Sequence, residues 1–181
     1  MREQAVIAHT RQWVQQVVID LNLCPFARRE FDGGRLRFAV SAAVDEDELL
    51  ADLERELQTL EQTGDIETTL LIHPDALLDF LAYNQFLERC DRLLEELDHV
   101  GRFQVASFHP DYRFAGTAAD AAENYTNRSP YPMLHLLRED SISRAVAGHP
   151  DVDGIPLRNI ELLTTLGTDH LHTLLRACFD A

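Results

Sequence analysis

The sequence contains no lysine, because all 16 basic residues among its 181 are arginines. Lysine chemistry is therefore excluded, including Schiff-base catalysis, a pyridoxal-phosphate anchor and the lysines of P-loop and kinase sites. Positive charge is scarce as well, since 31 acidic residues bring the formal net charge to −15. This balance argues against general affinity for nucleic acids or anionic membranes.

Cysteine is also scarce and follows no pattern. Cys24, Cys90 and Cys178 are distant and odd in number, so they predict neither a disulfide framework nor a zinc site. No run approaches the roughly 18 apolar residues of a membrane span, and the first residues are too polar for a signal peptide. No glycine-rich dinucleotide fingerprint is present. We expect a cytoplasmic protein with no membrane or nucleic-acid partner and with no metal or cofactor.

Apolar periodicity predicts helices that alternate with strands. Helices are predicted at 4–23, 45–60 and 76–100, with shorter ones near 141–147, 156–166 and 169–179. Strands are predicted at 35–43, 67–72 and 103–108, and 132–138 reads either as a fourth strand or as a helix start. This alternation predicts an α/β fold in one domain, 1–181, with a largely parallel or mixed sheet of about four strands packed with helices. An α+β, ferredoxin-like arrangement is the alternative.

The tripeptide His-Pro-Asp occurs at 73–75, 109–111 and 149–151. The first two copies directly follow predicted strands, so parallel strands would bring His73 and His109 to the same edge of the sheet. Proline holds the preceding residue extended and aspartate caps helices, which favours a structural role for His73 and His149. A long polar loop follows His109, and for this residue a structural and a catalytic role both stay open.

The polar loop 110–132 supplies most of the candidate ligand contacts, because a loop of this length in a compact domain is usually functional or disordered. The candidate ligand-binding residues are Asn124, Tyr125, Asn127, Arg128, Ser129 and Arg138. Residues 45–67 contain ten acids and one arginine, whereas residues 102–144 contain five of each. Since arginine binds carboxylate and phosphate through a two-pronged fork, the sequence predicts a small anionic ligand despite the net charge. Pairing of Arg138 with Glu139 is the structural alternative.

Cys24 lies just before Pro25, where the first predicted helix ends. A nucleophilic cysteine needs a nearby cation or a helix N-terminus, and the C-terminal end of a helix opposes a thiolate. Cys24 is therefore a candidate nucleophile only if His109, His135 or Arg28 lies close to it. Otherwise Cys24 is only part of the wall of the ligand site.

Four segments of the chain resemble a bacterial family that is known only as a domain of unknown function. They read LNLCPFAR at 21–28, ETTLLIHP at 67–74, ASFHPDYRFAG at 106–116 and NYTNRSPYPMLHLLRE at 124–139. The resemblance extends from Trp13 to Leu166. It implies a stand-alone cytosolic domain, and it carries over no activity and no functional residue.

Three functional hypotheses follow from these residues. The first is an enzyme that transfers or hydrolyses a small anionic metabolite, with His109 as general acid or base beside Asp111. Arg128 and Arg138 would bind the anion, and Cys24 would be a nucleophile or part of the wall.

The other two hypotheses use different features. One is a non-catalytic module that binds a small ligand or presents its acidic helix, 45–67, to a basic protein partner. The other is a metal-dependent hydrolase in which His109, Asp111 and His135 form a facial two-histidine, one-carboxylate set.

Overall fold

The computed structural model describes residues 1–180, and helices alternate with strands through its first two thirds. The strands are β1 (Leu36–Val40), β2 (Thr68–Ile72), β3 (Phe103–Phe108) and β4 (Met133–Arg138). The α-helices are α1 (Arg2–Trp13), α2 (Ala27–Asp32), α3 (Glu46–Gln62), α4 (Phe80–Glu96), α5 (Glu139–Ala147), α6 (Gly154–Leu166) and α7 (Thr168–Ala177). A π-helical segment covers Val14–Ile19, and 3-10 helices cover Ala122–Thr126 and Cys178–Asp180.

The four strands form one mixed sheet in the order β1-β2-β4-β3. β1 and β2 are parallel, and β4 runs antiparallel to both of its neighbours. β1, β2 and β3 therefore point the same way. The segment 132–138 contains the strand β4 and not a helix start, and the predicted α/β fold with a mixed sheet is confirmed. The order of elements to β4, β-α-β-α-β-β, differs from the β-α-β-β-α-β order of the ferredoxin-like alternative.

Helices cover both faces of the sheet, because alternate strand residues point to opposite sides. On one face α3 and α4 pack against strand residues such as Leu71 and Leu134. On the other face α1, the π-helical segment, α6 and α7 pack against Leu70, Ile72 and Met133. β2 is buried along its whole length, as its apolar sequence predicts. No helix within residues 1–180 is both long and apolar enough to cross a bilayer.

The two helices between the parallel strands begin at aspartate caps. Asp45 accepts a hydrogen bond from the Glu48 amide at the start of α3, and Asp79 accepts one from the Ala82 amide at the start of α4. In α3, leucines 49, 53, 57 and 60 are fully buried at helical spacing, and the acidic residues lie on the other faces.

Two predicted helices have different bounds in the structure. The first changes to π-helical geometry after Trp13 and ends near Asn22, which has a positive φ of 53°. The third begins at Phe80 rather than at residue 76, because residues 73–79 form a separate turn in which Leu77 has a φ of 55°. The apolar spacing of the predicted helix at 76–100 places Leu81 on the inward face, but in the structure Leu81 is 65 % exposed. The short helix α2 has a charged sequence and was not predicted from apolar periodicity.

Candidate functional site

The carboxyl ends of β1, β2 and β3 lie at one edge of the sheet, and β4 begins there. We name this the carboxyl edge. Ligands of open α/β sheets bind beyond such an edge. His73 follows β2 and His109 follows β3, so the prediction that both lie at the same edge is confirmed.

His109 is fully buried, and backbone groups occupy both of its ring nitrogens. The Asp111 amide donates to Nδ1 over 3.0 Å, and Nε2 donates to the Leu77 carbonyl over 3.2 Å. Burial lowers the pKa of His109, against the opposing effect of Asp111 and Asp79. The ring is thus a neutral imidazole whose hydrogen-bonding capacity is used within the protein. Asp111 holds it through its backbone, while the Asp111 side chain is exposed.

His73 is also fully buried, on the same side of the sheet as His109. Its Nδ1 donates to the Ala76 carbonyl over 2.9 Å, whereas its Nε2 has no partner within residues 1–180. Burial, with a smaller contribution from the neighbouring His109, lowers the pKa of His73 to about 4. His73 is therefore neutral at pH 7, with a buried lone pair on Nε2.

Aromatic rings from α4 and from the loop after β3 separate the two histidines from water. The Tyr83 ring lies 5.8 Å from His73 and 5.1 Å from His109, measured between ring centroids. Its hydroxyl donates to the Met133 carbonyl and accepts from the Phe108 amide, which joins β3 and β4 at their ends. Phe80 and Tyr112 complete this group. We name these five residues the histidine layer: His73, Phe80, Tyr83, His109 and Tyr112.

His135 lies in the middle of β4 and on the opposite face of the sheet from the histidine layer. It pairs with Leu70 and Ala106, and its Nε2 donates to the Thr68 hydroxyl over 2.7 Å. Burial lowers its pKa to about 4. The structure does not bring His135 together with His109 and Asp111. Within residues 1–180, no group of three or more His, Cys, Asp and Glu side chains is arranged to hold a metal ion.

Cys24 lies between the π-helical segment and α2, and within the described residues neither a histidine nor Arg28 lowers its pKa. Arg28 contacts Asp20. The amides of Phe26 and Ala27 point at its sulfur, so the thiol lies at the start of α2 as well as after the first helix. Burial outweighs those two amides and raises the pKa of Cys24. The structure therefore gives Cys24 a protonated thiol away from the histidine layer.

Within the polar loop, the predicted ligand residues bind the loop itself. Asn124 accepts from the Phe114 amide and donates to the Ala118 carbonyl. Asn127 donates to the Ser107 carbonyl and so fastens the loop to β3, while the Ser129 hydroxyl donates to the Tyr131 carbonyl. These contacts satisfy loop backbone groups.

The two arginines proposed as anion ligands are far apart and already have partners. Arg128 stacks over the Tyr125 ring at 4.7 Å and donates to the carbonyls of Tyr112 and Ala119. Arg138 lies at the opposite end of β4 from Met133. It donates to the carbonyls of Leu60, Thr63 and Ile66 around the C-terminus of α3, where a cation is favourable. Arg138 thus pairs with backbone carbonyls at the end of α3. Its partner is not Glu139, and it does not contact Arg128.

The other side of the carboxyl edge, beside α1, carries an open cleft that sequence analysis did not predict. It has a volume of about 220 Å³. Its walls come from the start of α1, the end of β1 and the turn after β2, as follows: Arg2, Glu3, Val6, Val40, Ser41, Ala42, Pro74 and Asp75. We name this the edge cleft. Across it, Arg2 Nη2 contacts the Asp75 carboxylate at 2.6 Å.

A histidine–tyrosine pair lies next to the edge cleft. His9 is one turn beyond Val6 on α1, and its Nδ1 is 2.8 Å from the hydroxyl of Tyr131, which precedes β4. Both side chains are half-buried. Burial raises the pKa of Tyr131, and the positive charge of Arg2 opposes that rise. The sequence could have indicated this group, because Arg2, Val6 and His9 recur at helical spacing. The predicted helix began at residue 4 and so did not include Arg2.

The comparisons with known proteins identify a family without assigning a function. No curated protein and no solved structure matches this chain. The family model described as "Protein of unknown function (DUF1415)" matches residues 5–173, which is nearly the whole chain. The chain therefore belongs to the DUF1415 family, as the resemblance in its four sequence segments implied.

Proposed function

We propose that this protein binds a small anionic molecule in the edge cleft and moves a proton to or from it. The observation that supports this most is the contact between Arg2 and Asp75 across the cleft. Only one nitrogen of the Arg2 guanidinium contacts that carboxylate within residues 1–180. The Asp75 carboxylate thus occupies the position that the anionic group of a ligand would take.

The Arg2–Asp75 pair is a contact that a ligand can replace. The Arg2 side chain is 71 % exposed and that of Asp75 is 35 % exposed, and exposed ion pairs are weak. A phosphate, sulfate or multiply charged carboxylate offers the guanidinium more negative charge and a two-pronged contact. We therefore infer that the ligand displaces Asp75 from Arg2.

The proton-transfer role is proposed for His9 and Tyr131. Tyr131 carries its proton at neutral pH, and the 2.8 Å contact gives that proton a path to or from His9 Nδ1. Both groups reach solvent, unlike His109, whose nitrogens are bound to backbone groups. For this reason we propose the pair, rather than His109, as the acid–base group.

The protein-binding alternative has less support, because the acidic helix already binds arginines of neighbouring elements. Glu56 binds Arg37 through two hydrogen bonds, and Arg89 binds both Glu46 and Asp47. Glu61 accepts one hydrogen bond from Arg102. Three free thiols support the expectation of a reducing, cytoplasmic location.

Inorganic sulfate is a suitable probe of the edge cleft, because it stays a dianion at any pH used here. Its affinity is measured by calorimetry at constant ionic strength for the wild type, Arg2→Gln and Arg29→Gln. Arg29 is 83 % exposed and lies outside the cleft, so its variant is the matched charge control. We expect Arg2→Gln to weaken sulfate binding by about tenfold or more, since a charge-assisted contact is lost. Equal affinities in the two variants would contradict the proposal.

The proton-transfer part has a separate measurement. Saturating sulfate should shift the imidazole ¹⁵N resonances of His9, because the bound anion competes for the Tyr131 hydroxyl. Tyr131→Phe should abolish that shift and leave sulfate affinity within about twofold, since the hydroxyl is not the main anion contact. His9 resonances that do not move in the saturated wild type would rule out the pair.

A further inference from the structure

The turn between β2 and α4 has an unusual set of hydrogen bonds. Two consecutive carbonyls, those of Ala76 and Leu77, accept from the imidazoles of His73 and His109. Leu77 has a φ of 55°, a left-handed conformation that a leucine rarely adopts. The two imidazole contacts therefore hold this turn in a conformation that the chain would not adopt by itself.

The same turn forms one wall of the edge cleft. Pro74 and Asp75 line the cleft on the α1 side, while His73 points to the α4 side of the sheet. Asp75, whose carboxylate contacts Arg2, belongs to this turn. The histidine contacts on the buried side and the ion pair on the open side are therefore joined by the same short segment.

A second proton is unfavourable on either histidine as long as its ring stays buried. On His73 the second proton would go to Nε2, which is buried and has no acceptor within residues 1–180. On His109 it would go to Nδ1, which already accepts from the Asp111 amide. The groups facing the two rings are the neutral Tyr83 hydroxyl and the carboxylates of Asp79 and Asp111, which favour the charge on His109.

We propose that His73 and His109 are positioning residues that keep Asp75 on Arg2. As neutral imidazoles they hold residues 73–79 against the sheet. A second proton leaves both donor nitrogens in place, but it puts a positive charge into the buried histidine layer. The charged ring therefore moves out to water, breaks its bond to the Ala76 or Leu77 carbonyl and releases the turn, which frees Arg2 for an anion. The link to anion binding rests on the proposed function, whereas the release of the turn does not. Acid therefore favours the binding-competent form of the cleft.

Hydrogen exchange of residues 74–79 measures the release directly. The comparison variant is His73→Asn with His109→Gln, because the asparagine amide replaces Nδ1 of His73 and the glutamine amide replaces Nε2 of His109, and neither titrates. Between pH 7.5 and pH 5.0, the wild-type opening constant should rise at least about 30-fold more than that of the variant, given a free-histidine pKa of about 6.5. His170→Asn, on the exposed face of α7, should behave as wild type.

An equal pH response of this turn in the wild type and the double variant would overturn the proposal. If the double variant does not fold, residues 49–57 of wild-type α3 serve as the internal reference. The proposal then requires the turn, and not α3, to gain exchange at pH 5.0. Equal acid responses of the two segments would also overturn it.

Sulfate binding separates this proposal from the proposed function. The wild type should bind sulfate several-fold more tightly at pH 5.0 than at pH 7.5, and Asp75→Asn should bind tightly at both pH values. If Asp75→Asn keeps the full pH response, the link through Asp75 is wrong. If the turn opens as expected while sulfate fails to bind any form, the release of the turn stands and the proposed function fails.

Discussion

The two sides of the carboxyl edge differ in the partners of their polar side chains. On the α4 side, the histidine layer binds backbone groups: Tyr83 joins β3 to β4, and His73 and His109 hold the turn after β2. On the α1 side, Arg2 pairs with Asp75 and His9 pairs with Tyr131, side chain to side chain and in reach of water. The buried side therefore contributes to stability, and the open side has polar groups in reach of water, where we propose that a ligand binds.

The largest loss of stability is expected from Tyr83→Phe. The substitution leaves the Phe108 amide and the Met133 carbonyl unpaired in a buried site, which should lower the free energy of unfolding by about 3 kcal/mol. Denaturant unfolding measures this loss. Tyr112→Phe is the control, because the Tyr112 hydroxyl has no partner within the described residues. Equal stability of the two variants would contradict the assignment of Tyr83 to the structural side.

The second largest loss of stability is expected on the buried side when the pH is lowered. The folded-state pKa of His73 is about 4, below its unfolded value, so its contribution is complete above pH 6.5 and is lost as the pH falls toward 4. Between pH 7.5 and pH 4.5 the wild type should lose about 2.5 kcal/mol more than His73→Asn does. Urea unfolding at both pH values measures this difference, and parallel losses would show that His73 is not held neutral.

A smaller effect is expected on the open side from Tyr131→Phe. The variant loses one half-buried hydrogen bond to His9, which should cost about 1 kcal/mol. The same unfolding measurement applies. A loss as large as that of Tyr83→Phe would place Tyr131 on the structural side and remove the contrast between the two sides.

The smallest effect is expected from Arg2→Gln. The Arg2 side chain is exposed, so the melting temperature should stay within about 1 °C of the wild type while sulfate affinity falls. Thermal unfolding without ligand tests this. A clear drop in melting temperature would mean that Arg2 contributes to stability rather than to binding.

Much of the fold could be predicted because burial repeats at regular spacing in the sequence. The leucines of α3 and the apolar run of β2 identify their elements without tertiary information. The π-helical turn at Val14–Ile19 and the start of α4 at Phe80 could not be predicted in this way. Both depend on contacts that are distant in sequence, such as the imidazole of His109 on the Leu77 carbonyl.

The sequence located the carboxyl edge but not the side of it that stays open. Proline fixes the backbone of the histidine that precedes it, but it does not determine which group the imidazole binds. The same tripeptide therefore makes different contacts at 73 and 109. Asp111 donates its amide to His109 Nδ1, whereas His73 Nδ1 donates to Ala76. Arg2, His9 and Tyr131 come together only through the packing of α1 across the sheet. The roles predicted for Cys24, His135, Arg128 and Arg138 stay predictions, and the structure separates these residues.

The most direct test of the edge cleft is a two-dimensional NMR titration of the wild-type protein with sulfate at constant ionic strength. The assignment predicts that the Arg2 Nε–H resonance and the amides of Val40, Ser41 and Ala42 move together and saturate with one dissociation constant. Resonances of Arg128 and Arg138 should not move with them. Saturable shifts confined to those two arginines, with Arg2 unchanged, would contradict the account and return the anion site to the polar loop and β4.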